Sequence, residues 1–250
     1  MGALTEGTHE VETGSFTLEG TGGAPVTVLH ARPRGATPVG IVVHPDIGGL
    51  RPLFEDLVRR LASHGYAVGA FEPFARIDST ERAEMDLEAR MAAMTTLRDS
   101  EQLGDLTRTA DALAERDDVR AVAVIGFCMG GMYTLKAAAT GRFDRAGAFY
   151  GQLRVPEGWR SPQLAEPLAT ASEVCPTIAI LGGQDRWTPD GDIEALRAEW
   201  AHRPDCEVVV YPDADHGFVH DPERSTHRAA DAADAWHRVL GFFEPLSGAA

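Results

Sequence analysis

The sequence predicts an α/β architecture: a mostly parallel, doubly wound sheet flanked by helices, entered through an N-terminal antiparallel hairpin. Three observations carry this. Short apolar runs of strand character recur at 39–44, 66–71, 119–125, 146–150, 177–181 and 207–211. Between most of them lie stretches of helical periodicity, and such alternation requires crossover connections and therefore parallel strands. Ahead of them, 15–18 and 26–30 flank Gly20, Gly22 and Gly23, the pattern of two strands joined by a tight turn.

Each element has its own signature. The run 39–44 is β-branched with no helical period and leads into a polar, glycine-containing loop over 46–51. Phe54, Leu57, Val58 and Leu61 then recur at helical spacing until Gly65, and 66–71 returns to strand character. The segment 79–98, rich in Glu, Met, Ala and Arg, predicts one helix, and Leu103, Leu106, Ala110 and Leu113 mark a second. The run 119–125 predicts a central strand and 130–140 a buried helix, so a sharp turn must separate them. Helical material over 193–201 and from about 226 to 243 completes the pattern. The proline-rich stretch from 150 to 177 is long for a connection in such a fold, and reads either as a lid or as an irregular surface excursion. The whole chain, 1–250, reads as a single domain with a flexible segment over about 1–12.

Composition narrows the function classes. Twenty-three basic against 38 acidic side chains leave a net charge of -15, which repels a phosphate backbone and an anionic membrane surface, so no nucleic-acid or membrane partner is expected. No secretory signal is evident, and no apolar run is long enough to span a bilayer. Cys128, Cys175 and Cys206 are too scattered for a disulfide framework and lack CxxC spacing, which fits a reducing cytoplasm. Either a monomer or a homodimer is compatible with these features.

The strongest local signal is Gly126-Phe127-Cys128-Met129-Gly130-Gly131, directly between a strand and a helix. It matches the nucleophile elbow of an α/β-hydrolase fold, with cysteine in the serine position. The strained turn needs small neighbours, and the helix N-terminus beside the sulfur favours the thiolate. A thiolate needs a base, and the base an orienting acid. Asp185 follows the 177–181 strand in Gly182-Gly183-Gln184-Asp185, and His216 follows the 207–211 strand. Nucleophile, acid and base thus occur in the chain order of α/β-hydrolases. Asp213 and Asp215 lie nearer to His216 but read as loop or capping residues. The N–H of Met129 is the expected first oxyanion donor, and Ile47, in the loop after 39–44, the candidate for the second.

From about Ser15 to Leu246 the chain resembles the dienelactone hydrolase family. The resemblance is carried by the cysteine elbow, by the run ending at Asp185, by His216-Gly217-Phe218 and by the segment 71–76. It implies a triad of Cys128, Asp185 and His216, an oxyanion hole of Met129 and Ile47, and no metal or organic cofactor. The family also places an acid after the third strand to draw off the thiol proton, a glutamate for which Asp46 stands here. In its dienelactone-cleaving members two arginines hold the substrate carboxylate. One of these positions is His220, and the other falls in the segment holding Arg82 and Arg90. These departures favour a different substrate, since a neutral imidazole is a poor replacement for a bidentate guanidinium.

The expected function is a dienelactone hydrolase-like carbon-ester hydrolase that cleaves a small-molecule ester or lactone through an acyl-enzyme. The alternatives are a thioesterase or acyltransferase on the same triad, and a non-catalytic ligand-binding protein that retains the pocket.

Overall fold

The computed structural model describes residues 4–248. The strands β1 (Val11–Glu19), β2 (Pro25–Pro33), β3 (Val39–His44), β4 (Ala67–Phe71), β5 (Ala121–Phe127), β6 (Arg145–Phe149), β7 (Thr177–Gly182) and β8 (Glu207–Tyr211) form one sheet. Their order is β1-β2-β4-β3-β5-β6-β7-β8. β1 pairs antiparallel with β2 and β2 with β4, and every later pairing is parallel. The expected α/β-hydrolase arrangement, with its antiparallel entry, is what the chain adopts.

The central strands are buried on both faces, which is why they read as unbroken apolar runs. Ile41 and Val43 of β3 join one core, and Val42 joins the other. Against the first face lie α1 (Pro52–Ser63) and α7 (Ala229–Gly248), through Phe54, Leu57, Trp236 and Phe243. The second face is covered by α4 (Asp99–Asp117), α5 (Met129–Ala138) and α6 (Asp190–Glu199), through Leu106, Met132 and Leu196.

One helix departs from expectation, and two further stretches show their local contacts. The helix expected over 79–98 is broken into α2 (Ser79–Glu84) and α3 (Leu87–Ala93), followed by a 3-10 turn. The break has a local cause: Met85 is extended, and the Asp86 carboxylate accepts from the Ala89 N–H at 2.8 Å, capping a fresh helix. In the N-terminal segment the Leu4 side chain is buried. Gly7 N–H donates to Ser63 Oγ at 2.8 Å and His9 N–H to Ser63 O at 3.0 Å, while residues 1–3 lie outside the described residues. The 150–177 excursion, read as a lid or an irregular surface excursion, contains two 3-10 turns. Val155 N–H donates to Glu166 Oε2 at 2.8 Å, Trp200 Nε1–H to Ala171 O at 2.8 Å, and Cys175 N–H to Ala138 O at 2.8 Å. Among the described residues no helix is long and apolar enough to cross a membrane.

Candidate active site

β5 runs into Cys128, whose backbone sits at φ 57°, ψ -119°, and α5 begins at the next residue. A non-glycine residue held there costs about 1–3 kcal/mol, so the surroundings must enforce it. They do so by close packing. A Cβ on Gly126 would lie 2.1 Å from Gly130 O, and one on Gly130 would lie 2.2 Å from His44 O. The backbone of Cys128 is tied on both sides, its N–H donating to Phe149 O and its carbonyl accepting from Met132 N–H, both at 3.1 Å. The half-buried sulfur therefore stands at the C-terminal edge of the sheet, beside the positive end of α5.

The loops after β7 and β8 are brought together by backbone contacts. Gly183 N–H donates to Tyr211 O at 2.8 Å and Gln184 N–H to Ala214 O at 2.9 Å. A Cβ on Gly182 would meet Ala214 O at 2.5 Å. This juxtaposition sets Asp185 Oδ2 2.7 Å from His216 Nδ1, while Oδ1 accepts from Trp187 N–H at 2.8 Å. Asp215, the sequence neighbour, spends its carboxylate on the His216 backbone N–H at 2.6 Å, and Asp213 faces Arg228 at 4.0 Å. The other ring nitrogen, His216 Nε2, is buried and makes no hydrogen bond of regular geometry. It still lies close enough to Cys128 for the sulfur to act on it. Burial disfavours the charged ring, but the Cys128 sulfur and the Asp185 carboxylate together outweigh this and raise the His216 pKa from 6.5 to about 10.

That shift has a consequence for stability. The folded protein holds the His216 proton more tightly than the unfolded chain does, so this stabilisation is complete below pH 6.5 and is lost as pH rises through about 10. Urea unfolding followed between those limits should show wild-type stability falling more steeply than that of His216→Gln. Parallel curves for the two would contradict the assignment.

The Asp46 carboxylate is held by Arg51 and His220. It takes a bidentate ion pair from Arg51, at 2.6 and 2.8 Å, and contacts His220 Nε2 at 2.7 Å. Burial alone would raise its pKa, but the hydrogen bonds from His220 and Arg51 hold it far below the usual carboxylate range. His220 is enclosed, its ring stacked on Phe127 at 4.8 Å and its Nδ1 paired with the Tyr150 hydroxyl. Both of its ring nitrogens are engaged within the protein, which leaves neither facing a substrate. Tyr150 itself carries φ 38° and lies edge-on to His216, with ring centroids 5.3 Å apart.

Met129 opens α5, so its N–H has no partner within the helix. The approach of Gly130 to the His44 and Pro45 carbonyls presses the loop after β3, with Ile47, against that helix end. Arg82 donates to the carbonyls of Phe74 and Ile77, at 3.2 and 2.9 Å. Arg90 donates to Arg82 O at 3.0 Å and Met85 O at 3.3 Å, yet its Nη1 is buried without a partner beside Gly49. Arg51, Tyr150 and Gln152 escaped sequence reasoning. Gln152 sits next to Cys128, its Nε2 3.9 Å from Sγ. Only their placement just past β3 and β6 could have flagged them. Among the described residues no group of three or more His, Cys, Asp or Glu side chains could hold a metal ion. A groove lined by Thr13, Leu29, Pro52, Glu55 and Arg59 lies between β1–β2 and α1, away from these residues.

Comparison with known proteins places this arrangement in context. The model of the dienelactone hydrolase family matches residues 26–247. A protein of Escherichia coli (strain K12) named "Putative carboxymethylenebutenolidase" is 34% identical over 241 residues, covering 93% of this chain and 87% of that protein. A "Carboxymethylenebutenolidase" of Rhodococcus opacus is 28% identical over 222 residues, covering 88% and 86%. The crystal structure described as a putative dienelactone hydrolase from Klebsiella pneumoniae superposes with a TM-score of 0.84 at 29% identity, covering 94% of this chain and 98% of that one.

Proposed function

Because the chain belongs to the dienelactone hydrolase family and is an ester or lactone hydrolase, we propose that it works through Cys128, His216 and Asp185 by way of an acyl-enzyme. The observation that supports this reading is the Asp185–His216 hydrogen bond, with the second ring nitrogen left without a partner and the ring within electrostatic reach of a sulfur held on a strained elbow. The Cys128 thiolate attacks the substrate carbonyl carbon, and the C–O π electrons move onto oxygen. The Met129 and Ile47 N–H groups stabilise that oxyanion. Its collapse expels the alkoxide, which takes the His216 proton, and leaves a thioester on Cys128. His216 then accepts a proton from water as the water attacks the thioester, and the second collapse restores the thiolate. Asp185 keeps Nδ1 protonated and the ring oriented throughout.

Asp46 serves here by holding the Ile47 loop. It accepts from Gly48 N–H at 2.8 Å and from Arg51, so any direct exchange with the thiol requires it first to leave Arg51 and His220. With His220 enclosed, Arg90 is the better placed of the candidate substrate-binding residues, because one of its buried N–H groups is unpartnered. A small ester or lactone is the substrate class.

Rapid mixing with 4-nitrophenyl acetate, acid quenching and intact-protein mass measurement test the reading. One acetyl group should appear before steady state and map to Cys128, with a matching burst of nitrophenol. Turnover that persists in Cys128→Ala, or an adduct on another residue, would overturn it.

A further inference from the structure

Gln152 stands just past the end of β6 and is almost wholly enclosed, at 1% exposure. Its Nε2 donates to Cys128 Sγ at 3.9 Å, and its Oε1, also buried, finds no partner in the protein. The backbone that delivers it is tightly built. Tyr150 is held at φ 38° with its N–H donating to Ile180 O at 2.7 Å, and a Cβ on Gly151 would lie 2.3 Å from the Gly131 carbonyl carbon. A side chain presented this way is placed rather than merely accommodated. Leaving an enclosed acceptor without a donor is unfavourable, and that cost is relieved when a ligand supplies the donor.

We propose that Gln152 determines substrate specificity: its Nε2 steadies the sulfur while its Oε1 accepts a hydrogen bond from a hydroxyl on the acyl group, so that esters or lactones of hydroxy acids are favoured. The inference rests on Cys128 being the nucleophile. Once the carbonyl carbon is bonded to Sγ, the oxygen of an α-hydroxyl lies three bonds from the sulfur, within reach of an amide that already touches that atom. An uncharged hydroxyl fits better than an ammonium group. The Asp46 and Asp185 carboxylates are both committed, to Arg51 and His220 and to His216, and the acylated sulfur carries no charge.

Hydrolysis of ethyl 2-hydroxypropanoate and ethyl propanoate, followed by base uptake in a pH-stat, gives the ratio of kcat/KM for the pair. In the wild type the hydroxy ester should be preferred. In Gln152→Leu that ratio should fall by about 10- to 100-fold, because a site built to hydrogen-bond a hydroxyl loses its discrimination with the acceptor. Gln152→Glu keeps an acceptor and should retain most of the preference. Gln152→Met, of similar length, replaces the leucine variant should that fail to fold, with thermal unfolding as the check. An unchanged ratio in the leucine or methionine variant, while Cys128→Ala abolishes turnover of both esters, overturns the role of Gln152 alone. Turnover of both esters by Cys128→Ala overturns the nucleophile assignment, and this inference with it.

Discussion

Replacing His216 with alanine is expected to lower kcat/KM for an activated ester by about 10³-fold or more. The ring has two neighbours, and the loss acts through both. On the Nε2 side, under the proposed mechanism, the sulfur would lose the group that shares its proton, protonates the departing alkoxide and deprotonates water in deacylation. On the Nδ1 side Asp185, whose side chain is fully enclosed, loses the partner at 2.7 Å that balances its charge. Asp185→Asn is the companion experiment. An amide donating to Nδ1 would force the proton onto Nε2, the tautomer that cannot accept from water, and a loss of about 10²- to 10⁴-fold in kcat should follow with a far smaller change in KM. Turnover within tenfold of wild type in either variant would exclude a Cys128-His216-Asp185 unit.

The second large effect is structural. Gly130→Ala places a methyl group 2.2 Å from His44 O and 2.5 Å from Pro45 O. Both are backbone atoms at the end of β3, which is hydrogen-bonded to strands on either side and has no room to retreat. Either the start of α5 moves, unseating Cys128 and the Met129 N–H, or the loop carrying Asp46 and Ile47 shifts. A destabilisation of about 3–5 kcal/mol is expected, with Tm lower by roughly 10 °C. Gly141→Ala is the contrasting case of backbone strain without crowding: unlike Gly130 it sits at a positive φ, 75°, but a Cβ there meets nothing within 4 Å. The two should separate clearly in thermal unfolding, and Gly130→Ala should also change the alkylation rate of Cys128. Equal, small effects would show that the elbow tolerates more bulk than its packing implies.

Much of the molecule was legible in the chain, and the reasons are local. Strands buried on both faces cannot alternate polar and apolar residues, so β3, β5 and β7 announced themselves as continuous apolar runs. The elbow was legible because a strained turn between strand and helix restricts its own sequence: only glycine fits at Gly126 and Gly130, and Cys128, midway between them, is left at the sheet edge. Asp185 and His216 could be named because the chain order of a doubly wound sheet places consecutive loops at the same edge. The split of the 79–98 helix was less visible. Its composition favours a single helix, and the competing signal was one side-chain cap at Asp86.

What sequence alone determined, then, was the sheet, the order of its strands' chemistry and the three groups at its edge, because those follow from periodicity and from turns that dictate their own residues. Tertiary structure decided where the remaining side chains point. Asp46 joins Arg51 and His220 instead of the sulfur, His220 closes on Tyr150, and Gln152 turns its amide to Cys128. Partners 70 or 174 residues apart leave no periodic trace in the chain. A buried polar group takes whichever partner the packing brings within about 3 Å, and that is known only once the layers have closed.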